Sequence, residues 1–143
     1  MRKFGLIFLA SVALAQSPSP YQRVGTMSQL MINIIFPTSD AVFYVERNEP
    51  KTEVEWTNLA NQALMLAESG NILMMPGRAR DEGNWIKWSK MMLDAGNAAF
   101  KAANAKDMNG VLAVNDQLYQ SCVECHMQYR RDYPKRPVVL APK

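Results

Sequence analysis

The chain has 143 residues, about the length of one ordinary domain, and its 48% apolar and 20% charged residues exclude an intrinsically disordered polymer. Its formal net charge is +3. Arg2 and Lys3 are two of the 16 Lys+Arg, so without them 14 basic residues face 13 Asp+Glu, a balance that gives no support to nucleic-acid binding.

Arg2 and Lys3 precede an apolar stretch, Phe4 to Leu14, that ends in Ala13-Leu14-Ala15 before Gln16. This is the layout of a secretory signal peptide, so residues 1–15 are expected to be cleaved. The stretch is well short of the roughly 20 apolar residues a spanning helix needs, and no cysteine lies near the cleavage site for a lipid anchor. The expected product is exported, periplasmic in a bacterium, and without stable membrane insertion. Residues 16–20, Gln-Ser-Pro-Ser-Pro, read as a linker that cannot continue a helix.

From residue 21 onward the apolar residues recur at helical spacing in four blocks, and no stretch alternates as a half-buried strand does. The first block runs from about Gln22 to Arg47, with Val24, Met27, Leu30, Met31, Ile34, Ile35, Val42, Phe43 and Val45 on its stripe. Pro37 predicts a kink or break there, after which Thr38, Ser39 or Asp40 caps a second segment. The second block opens on Thr52-Glu53-Val54-Glu55, a capping box. It is predicted to run to about Met75, with Pro76-Gly77 closing it.

A charged connection, Arg78 to Glu82, leads to the third block and supplies Asp81 as its cap. The stripe here is Trp85, Trp88, Met92, Ala95, Gly96, Ala99 and Ala103. Small residues on the middle two blocks, including Ala60, Ala63, Ala67 and Gly70, favour close helix approach over room for a flat prosthetic group. The fourth block begins after Asp107 and is predicted to extend to about Tyr133, where Pro134 and Pro137 leave residues 134–143 as an irregular tail. Four helices with short connections predict an all-α, antiparallel four-helix bundle over residues 21–133.

The chemistry sits in Cys122-Val123-Glu124-Cys125-His126, the CxxCH pattern of c-type haem attachment. At 3.6 residues per turn, positions 122, 125 and 126 share one helix face, so two thiols and an imidazole serve one ligand. Rival readings are poorer. A zinc site usually takes four protein ligands and the chain has three Cys and His in all. A thioredoxin-like pair belongs at a helix start after a strand, and a disulfide between cysteines three apart on a helix is geometrically awkward. His126 is the only histidine, which excludes bis-histidine ligation and a second haem with its own histidine. The sixth position falls to methionine, another weak ligand, or none.

A CxxCH at the end of the last helix, continuing Met127-Gln128-Tyr129-Arg130, resembles the class II cytochromes c, the four-helix family of cytochrome c′ and its low-spin relatives. The resemblance spans residues 21–133 but rests on motifs at its two ends. It implies that Arg23 lies near a haem propionate, that Met27, four residues on, faces the iron, and that Arg130 sits near the haem edge. Met31, one turn further, competes with Met27, and an open iron is the third option. The implied cofactor is one covalent haem c held by Cys122, Cys125 and His126, and the implied protein is a soluble electron carrier that is not an enzyme. Its partners are redox proteins, with a second copy of the chain also a candidate. The alternative is a five-coordinate protein that binds nitric oxide or carbon monoxide. The Arg130, Arg131, Lys135 and Arg136 cluster reads either as a solvated tail or as a docking surface for an acidic partner.

Overall fold

The computed structural model describes residues 20–130; the expected signal peptide, most of the linker, and residues 131–143 lie outside the described residues. Among the described residues every regular element is helical. They are α1 (Met27–Leu30), a π-helical turn (Met31–Ile35), α2 (Phe36–Phe43), a 3-10 turn (Val45–Asn48), α3 (Glu53–Met74), α4 (Asn84–Asn104), α5 (Met108–Leu112) and α6 (Asn115–Tyr129). Four helices pack against one another: the compound first helix from α1 to α2, then α3, α4 and α6. No helix among the described residues is long and apolar enough to cross a membrane.

The first helix begins later than its periodicity suggests. Thr26 is the N-cap, its hydroxyl accepting from Gln29 N while the Gln29 side chain accepts from Thr26 N. This second capping box starts the helix at Met27 and leaves residues 21–25 outside it. Val24, expected on the apolar stripe, is 96% exposed, and Arg23 stands in this pre-helical segment.

Pro37 does not break the helix. The backbone widens into a π turn just before it, with Phe36 N–H bonding to Met31 O, and the wider turn absorbs the missing donor and the ring clash that a tight α-turn would not accommodate. Thr38 and Ser39 are therefore not caps. Thr38 Oγ1 donates to Ile34 O at 2.7 Å and Ser39 Oγ to Phe36 O at 3.0 Å, both within the continuing helix.

The Thr52 capping box forms as expected, with Glu55 N bonded to Thr52 Oγ1 and Thr52 N to Glu55 Oε2. Replacing Thr52 by alanine is expected to lower stability by about 1 kcal/mol, measured as an earlier midpoint in urea unfolding. Past the end of α3, Gly77 takes φ +79°, the left-handed conformation expected of it.

Every residue of the α4 stripe, from Trp85 to Ala103, is buried. The small residues do bring helices together: a Cβ placed on Gly96 would lie 2.7 Å from Ala67 N, and one on Gly70 would lie 2.7 Å from Leu93 Cβ. Around this contact Leu66, Val42, Val111 and Leu118 are fully buried, each of the two leucines worth about 2–5 kcal/mol on truncation to alanine.

The fourth block is two helices rather than one. Asp107 caps α5 through Gly110 N, the chain turns at Ala113 and Val114, and α6 ends at Tyr129. That end comes four residues before the expected Tyr133. Arg130 is already extended, at φ −102° and ψ 108°.

Candidate functional site

α6 carries Cys122, Cys125 and His126 in its last two turns, and both thiols are free. Cys125 is 8% exposed and Cys122 half-buried. Burial pushes both thiols up, Cys125 to about 11 with help from neighbouring Cys122 and Asp81. The Ser121 hydroxyl, 3.9 Å from Cys122 Sγ, opposes this only in part. Thiols held protonated at neutral pH lack the thiolate that drives disulfide exchange.

Cys125 and His126 line a cavity of about 500 Å³ together with Met27, Met31, Arg80, Trp85, Tyr129 and Arg130. A smaller one, about 40 Å³, is bounded by Cys122, Cys125 and His126 with Met31, Trp88, Ser89 and Met92. The fold thus gathers both cysteines, the histidine and both methionine candidates, although 91 residues or more separate the methionines from the cysteines in sequence. Met31 borders both cavities. Two polar atoms beside the small cavity, Trp88 Nε1 and Ser89 Oγ, are buried without a protein partner.

The end of α6 is tied to the start of α4. Tyr129 donates its hydroxyl hydrogen bond to Asp81 Oδ2, and Asp81 Oδ1 accepts from Gly83 N at 2.9 Å and Trp85 N at 3.1 Å. The N-cap position itself falls on Gly83, so the cap expected of Asp81 is corrected to a carboxylate that binds the helix start from two residues further out. The Trp85 and Tyr129 rings meet edge to face with centroids 5.0 Å apart, a contact worth about 0.5–1.5 kcal/mol. Trp85 Nε1 donates to Leu73 O at 2.8 Å, which joins α3 to the same corner. The Trp85–Tyr129 wall of the larger cavity is therefore braced by directional bonds to Asp81 and to Leu73 of α3.

The Tyr129 hydroxyl, then the Trp85 amide, hold the Asp81 carboxyl below its ordinary 3.8, against a smaller upward push from burial; Tyr129 itself is pushed up to about 12 by burial and by Asp81. Because the folded pKa of Asp81 is depressed, its contribution is present above pH 3.8 and lost as the pH falls through the lower folded value. Tyr129→Phe is expected to return the Asp81 titration toward 3.8, followed by NMR of the carboxyl carbon.

Arg130 reaches the larger cavity. Arg23 does not. It lines a separate cleft, about 700 Å³, with Met27, Gly77, Arg78 and Arg80, so its placement one helical turn before Met27 is corrected: Thr26 caps the helix between them. Arg80 borders both spaces, and its guanidinium lies 5.9 Å from the Trp85 ring centroid. Neither Arg78 nor Arg80 stood out in a connection that reads locally as a charged loop; the placement of Arg78 comes from its bond to Gly25, 53 positions away.

No protein-family model, no curated protein and no solved structure matches the chain. Among the described residues no group of three or more His, Cys, Asp and Glu side chains is arranged to hold a bare metal ion.

Proposed function

We propose that the chain is an exported, monohaem c-type cytochrome that carries electrons, an antiparallel four-helix bundle akin to the class II cytochromes c. The observation that carries this reading is the meeting of Cys125 and His126, from a CxxCH on α6, with Met27 and Met31 from the first helix around one cavity of about 500 Å³. That volume lies within the range of cofactor pockets. The antiparallel arrangement is supported by the α3–α4 register, in which Ala67 meets Gly96 while Gly70 meets Leu93 and Ser89.

The donor set fits haem c. Two free thiols and an imidazole on one helix face would suit two thioether bonds and one bond to iron, and Met27 or Met31 from the first helix would supply a second protein ligand. Bound there, haem supplies a one-electron iron couple, and methionine ligation raises its potential. Cys122 and Cys125 would hold the group, and His126 would orient it. Trp85, Trp88 and Met92, all buried, keep water from that side, while Arg80 and Arg130 place positive charge at the mouth. An iron that took His126 and a methionine of the first helix as ligands would suit transfer of electrons rather than turnover of a substrate, so no enzymatic activity is assigned.

The test is the mass and optical spectrum of protein secreted by cells able to mature c-type cytochromes. The expected product begins at Gln16, is coloured, and carries the added mass of one haem; Cys122→Ala with Cys125→Ala abolishes the covalent adduct. A colourless product with the mass of the bare polypeptide would overturn the proposal.

A further inference from the structure

The cleft beside the cavity has no role in electron transfer as proposed, and its chemistry is one-sided. Arg23, Arg78 and Arg80 line about 700 Å³ of space, with Val24, Gly25, Thr26, Met27, Gly77 and Ala79 supplying the rest of the wall and no carboxylate among them. Like charges gathered around one concave surface raise the local positive potential and draw in a counter-charge. None of the three forms an ion pair in the described structure, whose salt bridges are Lys51–Glu49, Lys90–Asp94 and Lys106–Glu53.

Arg78 adds a second and independent indication. Its Nη2 donates to Gly25 O at 3.2 Å, tethering the loop after α3 to the segment before α1. Its Nε is buried and has no partner in the protein. A buried guanidinium N–H left unsatisfied carries a desolvation cost that an acceptor in the cleft would relieve, and guanidinium is the side chain best suited to planar, two-point recognition of oxyanions. The larger cavity already has arginines of its own, Arg80 and Arg130. Arg23 lines only the cleft, whereas Arg78 also borders a neighbouring groove with Gln29, Ile34 and Ile72.

We propose that this cleft is a binding site for a small, freely exchanging oxyanion, a phosphate or a dicarboxylate, held chiefly by Arg78 with Arg23 and Arg80 closing around it. The proposal stands whether or not haem occupies the neighbouring cavity. The two spaces share Met27 and Arg80, so an anion bound here in a haem-loaded protein would favour the more positive, oxidised state and lower its reduction potential.

The experiment is titration calorimetry of the secreted protein at low ionic strength with inorganic phosphate and, separately, succinate, chloride serving as the control anion. One saturable site is expected for phosphate or succinate, and whichever binds more tightly identifies the source. Arg78→Met is expected to weaken binding at least about tenfold, as loss of a charge-assisted hydrogen bond does. Because Arg78 also braces the fold through Gly25, the double variant Arg23→Gln with Arg80→Gln, at two exposed positions, provides the second arm and is expected to weaken binding by a similar factor with an unchanged thermal unfolding curve. No saturable heat with either anion would overturn the proposal. So would equal affinity in wild type and the double variant. Colour and mass are read on the same samples, so failure of the haem reading is seen separately from failure of anion binding.

Discussion

Alanine at Gly96 is expected to destabilise the protein by about 3 kcal/mol, at the upper end of ordinary overpacking penalties, and valine there to leave little folded protein at room temperature. The added Cβ would stand 2.7 Å from Ala67 N and 2.9 Å from Ala67 Cα. Those are backbone atoms, so no rotamer change relieves the contact and the whole of α3 must move away from α4. Domains of this size are stable by only about 5–15 kcal/mol, so the change uses a large part of the margin. Gly70→Ala meets Leu93 Cβ at 2.7 Å and Ser89 O at 2.9 Å and should cost nearly as much. Gly25→Ala, whose nearest neighbours are Gln29 side-chain atoms at 3.5 Å or more, is the control and should stay within about 0.5 kcal/mol. Urea midpoints of the four variants decide the matter. A Gly96→Ala midpoint equal to the control would mean that the two helices do not approach as closely as described.

This contact also matters for the candidate site. Trp85, Trp88, Ser89 and Met92 lie on the same α4 face as Gly96, within three turns of it, and line the cavities beside His126. Loosening α3 from α4 shifts that wall, so a Gly96→Ala protein that still folds should also hold its prosthetic group less uniformly.

How readily such features can be read from the sequence depends on how local their physics is. The Thr52–Glu55 capping box, the left-handed Gly77 and the tryptophan–alanine stripe of α4 are set by residues a few positions apart, and all were legible. Thr26 and Gln29 form an equally local capping box, but apolar residues on either side extended the apparent periodicity back to Gln22 and hid the start of the helix. Pro37 misled because its usual consequence holds for a tight α-turn, whereas here the π turn at Met31–Ile35 makes room for it. No residue type announces the turn at Ala113 and Val114. At the candidate site, CxxCH was plain, but the Arg78–Gly25 and Asp81–Tyr129 bonds join residues 53 and 48 positions apart. Pairings of that kind belong to packing, and no local spacing encodes them.

Under the proposed haem reading, Met31→Ala is expected to change the spin state of the iron, while Met27→Ala leaves it low-spin. The resemblance favours Met27 through its place one helical turn after an arginine, but Arg23 is outside the helix and beyond the cavity that His126 lines, which removes that support. Geometry favours the next turn. Met31 borders both cavities that contain His126, whereas the second space that Met27 borders is the arginine cleft. Met31 is also the first residue of the π turn, whose Met31 O takes the Phe36 amide; π-helical turns often occur where a side chain must be aimed. Both methionines are half-buried and pack against the core, but only Met31 also borders the apolar space beside Ile35, Leu73, Trp88 and Met92. The measurement is the far-red thioether-to-ferric charge-transfer band together with carbon monoxide uptake by the reduced protein. Loss of the band and rapid uptake in Met31→Ala, with both properties unchanged in Met27→Ala, is the expected result. The reverse pattern would assign the bond to Met27, and a wild-type protein that already lacks the band and takes up carbon monoxide would mean that neither methionine is a ligand and that the protein binds gases rather than carrying electrons.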